Sequence, residues 1–170
     1  MLRRATSRDG SAVAAIYAPF VEHGTTSFES VAPDAAEMTR RIERTVETHP
    51  WLVDEDEHGR ITGYAYATAF RGRDAYRFAA ETSVYVAPDA QGRGIGADLS
   101  IALLAALRAS GYRTAIAVIT LPNDPSVRMH ESIGYREIGR IPGVGWKAGR
   151  WIDVGYWHLA LEDGKPPETA

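Results

Sequence analysis

Residues Val84 to Gly96 read Val-Tyr-Val-Ala-Pro-Asp-Ala-Gln-Gly-Arg-Gly-Ile-Gly, the most informative stretch of the chain. A β-branched and aromatic run, Ser83 to Val86, ends in Pro88-Asp89; Gly92, Gly94 and Gly96 then alternate with Arg93 and Ile95 before a helix begins. Glycines at a strand-to-helix turn let backbone N–H groups approach a ligand with no Cβ in the way, and the helix N-terminus adds partial positive charge. Arg93 brings a full charge to the same place. The loop from Gln91 to Ala97 is therefore expected to hold an anionic cofactor.

Spacing decides which one. Gly92-x-Gly94-x-x-Ala97 satisfies a relaxed dinucleotide fingerprint, but that fingerprint needs an acidic residue about 20 positions on, at the end of the next strand. The next strand is Thr114 to Ile119, and no carboxylate lies between Asp98 and Asp124. No Gly-Lys-Ser/Thr closes the loop, which excludes a P-loop. Gln91-x-x-Gly94-x-Gly96 instead resembles the Arg/Gln-x-x-Gly-x-Gly/Ala signature of the GCN5-related N-acetyltransferases. A second segment agrees: Asn123-Asp124-Pro125-Ser126, a short helix, then Gly134-Tyr135 is similar to that family's Asn-x-x-Ala/Ser and Gly-Phe/Tyr element. Gln91 and Asn123 are the only Gln and Asn in the chain, and both fall on motif positions. Leu121 to Val127, Glu81 to Val86 and Gly149 to Trp157 further resemble the phosphinothricin and methionine sulfoximine/sulfone N-acetyltransferase branch.

The resemblance implies acetyl-CoA as cosubstrate and no metal. Its pyrophosphate is expected on Gln91, Gly92, Arg93, Gly94, Ile95, Gly96 and Ala97, and its pantetheine arm alongside Val84, Tyr85 and Val86, with Asn123 and Ser126 as further contacts. Asn123 has a plainer role as the cap of the helix that follows, and Tyr85 a plainer one as core or pocket wall. The acceptor is expected beside Arg71, Gly72 and Arg73, with Glu81, Thr82 and Ser83 adjoining and Thr26, Phe28 and Glu29 as a second wall. For Gly145-Trp146-Lys147 the sequence offers bulk and no chemistry.

Acetyl transfer to an amine requires the amine to lose a proton near neutral pH, donors for the developing oxyanion, and a proton for the departing thiolate. The resemblance gives Glu81, three residues before Val84, the role of base; position alone favours a solvated carboxylate or an ion-pair partner of Arg71 or Arg73. His130 stands where most of the broader family has a tyrosine acid and is the candidate proton donor, or else a histidine packing its helix. The expected acceptor is the α-amine of a small amino-acid-like molecule. Another small amine, a protein N-terminus, and a non-catalytic acyl-CoA-binding module are the alternatives.

The elements that must position these residues alternate along the chain. A strand at Leu2–Thr6 precedes an apolar helix from Ala12 to Glu22 and a second helix from Asp34 to about Thr48. Trp51–Val53 and Ile61–Phe70 read as a hairpin, and a long strand runs from about Tyr76 to Val86. Ile95, Leu99, Leu103 and Leu107 mark one helix face, followed by the 114–119 strand, a 124–133 helix, and strands near Glu137 and Trp151. The fold expected is α/β (α+β), with a mixed, mostly antiparallel sheet splayed between the 81–86 and 114–119 strands. One domain is expected over 1–161, with 162–170 a loose tail. A chain of 170 residues that is 45% hydrophobic suits one core, and the formal charge of −3 argues against nucleic acid. Cysteine is absent, which removes disulfides and thiol nucleophiles. No apolar run approaches membrane-spanning length. A cytoplasmic location is expected, and a homodimer follows from the branch resemblance.

Overall fold

The computed structural model describes residues 1–161; the expected tail lies outside the described residues. Seven strands form one sheet in the order β1-β2-β3-β4-β5-β7-β6. They are β1 (Leu2–Arg4), β2 (Trp51–Glu55), β3 (Ile61–Ala69), β4 (Ala79–Val86), β5 (Thr114–Leu121), β6 (Arg136–Lys147) and β7 (Arg150–Ala160). The helices are α1 (Gly10–Glu22), α2 (Ala35–Val46), α3 (Ile95–Ala109) and α4 (Asp124–Ser132). Neighbouring strands are antiparallel except β4 and β5, so the sheet is mixed and mostly antiparallel, as expected.

The side-chain period of two sorts the strand residues between two cores. Trp51, Val53 and Tyr64 join Val13, Ile16, Tyr17, Val21, Met38 and Ile42 of α1 and α2. Leu52, Ala65 and Ala67 pack on the other face with Leu99, Leu103, Leu104 and Leu107 of α3, and with Trp157. The four leucines recur at helical spacing, which is why α3 lies flat on the sheet and fixes where its N-terminus points. Asp34 starts α2 by accepting the Glu37 N–H at 2.7 Å.

Between β4 and β5 the sheet opens. They share a ladder only from Ala79 opposite Thr114 to Thr82 opposite Ala117. Beyond it, β4 continues to Val86 paired with β3, and β5 continues to Leu121 paired with β7. Each strand therefore keeps one satisfied edge while the facing edges diverge. Hydroxyls mark the last rung: Tyr135 Oη lies 2.8 Å from Thr82 Oγ1, which donates to the Ile116 carbonyl at 3.3 Å.

Several boundaries differ from expectation. Ser7–Asp9 is a short 3₁₀ turn, and α1 starts at Gly10. The long strand begins at Ala79, because Asp74–Tyr76 is a 3₁₀ turn closed by the Tyr76 N–H on the Arg73 carbonyl (2.9 Å) and the Arg77 N–H on the Asp74 carbonyl (3.0 Å). The two strands near Glu137 and Trp151 form a single long hairpin whose tip turns at Ala148-Gly149, both at positive φ.

Candidate active site

Gly92 and Gly94 have φ of +76° and +84°, in the left-handed region, and a Cβ built on either meets nothing within 4 Å. The space before this backbone is open. Gly94 is the N-cap of α3 and has no side chain to spend on it, so the first-turn N–H groups of Ile95, Gly96 and Ala97 lack intrahelical partners. Arg93 donates to the Asp89 carbonyl at 2.9 Å, and Gln91 Nε2 to the Val86 carbonyl at 3.3 Å, which braces the turn. Asp89, in the turn that leads to this site, is held by Arg60 through two contacts of 2.7 Å. The Ile95 side chain turns inward, packing against both cores.

The open edge of β4 is defined by hydrogen bonding. Ala87 N–H donates to Thr62 at 2.9 Å and Ala79 C=O accepts from Phe70 at 3.4 Å, so odd-numbered residues face β3. Phe78 C=O accepts from Arg113 at 2.9 Å on the opposite edge, so even-numbered residues face β5. Past Thr82 that edge has no partner strand, which leaves the N–H groups of Val84 and Val86 and the Val84 carbonyl directed into the opening. The resulting narrow cleft is lined by Thr26, Thr82 to Tyr85, Ala117 to Thr120, Asn123, Ser126 and His130.

Glu81, Ser83 and Tyr85 share the α1/α2 face, while Thr82, Val84 and Val86 share the α3 face. Thr82 is thus separated from Glu81 and Ser83, and its hydroxyl is occupied at the last rung. The Tyr85 ring is walled by Tyr17 at 4.9 Å, Phe20 at 5.2 Å and Tyr64 at 5.3 Å between centroids, so its side chain serves the core, and the residue also borders the cleft.

Glu81 is half-buried, and among the described residues no side chain hydrogen-bonds or ion-pairs with its carboxylate. Burial raises its pKa above the ordinary 4.5, with the Arg71 charge acting against that. The alternative, an ion pair with Arg71 or Arg73, is not formed among the described residues, and the Arg71 guanidinium lies over the Phe70 ring at 4.7 Å. Arg71, Gly72 and Arg73 are all exposed, at the end of β3 just before β4.

His130 is 5% exposed. Its Nδ1 lies 2.8 Å from the Ser126 carbonyl, and since a carbonyl only accepts, Nδ1 carries the hydrogen. Burial lowers its pKa below 6.5, with the Ser126 carbonyl opposing. The neutral ring therefore has its lone pair on Nε2, which takes a proton before it gives one. Asn123 caps α4 by accepting the Ser126 N–H at 3.3 Å, the plainer of its two expected roles.

Sequence reasoning passed over Tyr66 and gave Lys147 no chemistry. Tyr66 lies opposite Ser83, and Thr68 opposite Glu81, across the β3–β4 ladder. Burial raises the Tyr66 phenol, with the Ser83 hydroxyl acting against it and Glu81 adding to it. The Tyr64-x-Tyr66-x-Thr68 alternation was a visible signal, but only the register shows which β4 residues it meets.

A bare helix terminus beside an unpaired strand edge suits a pyrophosphate followed by an amide-bearing arm, the chemistry of coenzyme A. The chain matches the model described as "Acetyltransferase (GNAT) domain" over residues 2–155 and belongs to that family; it is an N-acetyltransferase with acetyl-CoA as its acyl donor. It is 40% identical over 166 residues to the phosphinothricin N-acetyltransferase of Streptomyces viridochromogenes, covering 98% of this chain and 90% of the relative. To the L-methionine sulfoximine/L-methionine sulfone acetyltransferase of Salmonella typhimurium it is 34% identical over 169 residues, 99% and 98% of the two chains. The crystal structure of a phosphinothricin acetyltransferase from Sinorhizobium meliloti in complex with AcCoA superposes with a TM-score of 0.94 at 38% identity, covering 99% of this chain and 93% of that one.

Gly94→Val introduces a β-branched residue where φ is +84° and fills the open space before the helix terminus. It is expected to weaken acetyl-CoA binding by about tenfold or more in calorimetric titration. Unchanged affinity in a folded variant would put the phosphates elsewhere.

Proposed function

We propose that this chain transfers the acetyl group of acetyl-CoA to the α-amine of a small amino-acid-like acceptor of the phosphinothricin or methionine sulfoximine/sulfone type, by direct attack of the amine. The observation that carries the reading is Glu81, a half-buried carboxylate without a protein partner, two residues before the cleft wall opens. A carboxylate in this state keeps its lone pairs free, with the Arg71 charge acting on it but not paired to it. Its raised pKa improves it as a base for an ammonium proton, directly or through one water. The relatives' substrates support the acceptor class.

Acetyl-CoA supplies a thioester when bound. The chain's own contribution begins with anchoring: Gln91 to Ala97 hold the anionic end, and Val84 and Val86 offer backbone hydrogen bonds along the opening. The same two N–H groups are the nearest donors for a carbonyl oxygen that gains negative charge. Arg71, whose charge acts on Glu81, and Arg73 in the same exposed loop would take an acceptor's carboxylate or tetrahedral oxygens. Nδ1 of His130 is committed to Ser126, so Nε2 is the one position where this residue exchanges a proton.

We assign a homodimer to the working enzyme. Among the described residues the outer edge of β6 is unpaired, and Ile138, Val144, Trp146 and Trp151 on this hairpin are 62%, 51%, 61% and 66% exposed. Sedimentation at micromolar concentration is expected to give a dimer; a monomer would remove the assignment.

Glu81→Gln keeps volume and reach but takes no proton at neutral pH. It is expected to lower kcat by roughly a hundredfold or more with acetyl-CoA affinity nearly intact. Because burial raises the Glu81 pKa, the acid limb of the wild-type kcat/KM profile should fall above the ordinary glutamate value of 4.5. The variant's deficit should shrink in alkaline buffer, where the amine deprotonates unaided. A deficit that stays equally large there would make Glu81 a substrate-positioning group, and a near wild-type kcat at neutral pH would make it structural.

A further inference from the structure

Lys147 ends β6, and its ammonium reaches three backbone carbonyls, those of Val21 at 2.7 Å, Ser27 at 2.6 Å and Glu29 at 2.9 Å. These account for all three donors of the group. Among the described residues no carboxylate pairs with it, since the Glu29 side chain is taken by Arg41 at 2.8 Å and by the Tyr17 hydroxyl at 2.9 Å. The Val21 carbonyl belongs to the last turn of α1, where carbonyls lack intrahelical partners and the helix dipole favours a cation. The Ser27 and Glu29 carbonyls belong to the segment joining α1 to α2, which has no ladder or helix to order it.

Two other contacts press the same segment into place. Gly145, two residues before Lys147, receives the Phe28 ring so closely that a Cβ there would lie 2.1 Å from Phe28 Cζ. From below, the Ser27 hydroxyl lies 2.7 Å from the Tyr17 hydroxyl and accepts the Glu29 N–H at 3.1 Å. The Tyr17 ring rests on Tyr85, so this network stands on the face of the sheet that carries Glu81 and Ser83. Thr26, next to the clamped residues, lines the cleft with Ser83, Thr120 and His130.

We propose that Lys147 is a positioning residue for the acceptor amine: it pins the 26–29 segment from the β6–β7 hairpin as the wall of the Glu81 side of the cleft. The proposal rests on the acetyl-transfer reading of that cleft. The pyrophosphate cradle and the open edge of β4 are built from Val84 to Ala97 without this segment, so the two ligands depend on it unequally. Losing the clamp should loosen the acceptor's wall and leave the acetyl-CoA site standing.

Lys147→Met keeps the length of the side chain and removes the ammonium. The acceptor KM is expected to rise about tenfold or more, while the acetyl-CoA KM stays within about twofold. Hydrogen exchange should accelerate in peptides covering residues 23–31 and stay as in wild type across β4 and α3. Gly145→Ala leaves the ammonium in place and displaces Phe28, and should move the acceptor KM in the same direction; it carries the test if Lys147→Met does not fold. An unchanged acceptor KM, an equal rise in both KM values, or faster exchange spread over the whole sheet would overturn the proposal and leave Lys147 a general stabiliser. Wild-type protein is assayed first: failure to acetylate any amine would count against the acetyl-transfer reading itself, which is a separate outcome from a wild type that turns over and a Lys147 variant that is unaffected.

Discussion

The parting of β4 and β5 is the constraint on which the rest of the structure depends. A sheet that splits exposes two backbone edges, and unsatisfied edges are costly unless each strand is otherwise held. Here β4 keeps β3 along its whole length and β5 keeps β7, so the split costs only the facing edges. The hydroxyls of Thr82 and Tyr135 close the last rung and fix where the opening starts. Four buried leucines seat α3 against the sheet, and that seating brings a bare helix N-terminus to the end of the open edge. Anchor and channel are thus consequences of one packing arrangement.

Burial at the cleft moves its two titratable candidates in opposite directions on the pKa scale and in the same direction chemically. The Glu81 carboxyl goes up and the His130 imidazole goes down, because the charged form of each is the one penalised. Glu81 is thereby brought closer to exchanging a proton near neutrality than its ordinary value allows, and the His130 ring is held neutral. They lie on different elements, with different partners: among the described residues no side chain hydrogen-bonds the Glu81 carboxylate, whereas His130 is fixed in one tautomer by Ser126. Removing the ammonium proton suits the former, and holding a single exchangeable position suits the latter.

Local chemistry was legible in the sequence and cross-strand geometry was not. The Gly-rich turn, the Leu spacing of α3 and the cap at Asn123 are written within a few consecutive residues, and the structure forms all three. The split of the sheet was foreseen from two motifs flanking one place. Register was out of reach: that Tyr66 meets Ser83, or that Thr68 meets Glu81, depends on how β3 and β4 align. The start of β4 was misjudged because Tyr76-Arg77-Phe78 has strand composition, yet Asp74–Tyr76 closes as a turn. Lys147 gave no signal, since its three partners lie 118 to 126 residues away in sequence.

The central claim is that the open edge of β4 receives the acyl donor's arm by backbone hydrogen bonding. Residue-resolved amide exchange, followed by NMR with and without acetyl-CoA, addresses it most directly. The account predicts that the amides of Val84 and Val86 gain strong protection on binding, while those of Ala80 and Thr82, already facing β5 within the ladder, change little. Protection that appears at the Gly92–Ala97 turn but leaves Val84 and Val86 exchanging as before would contradict it.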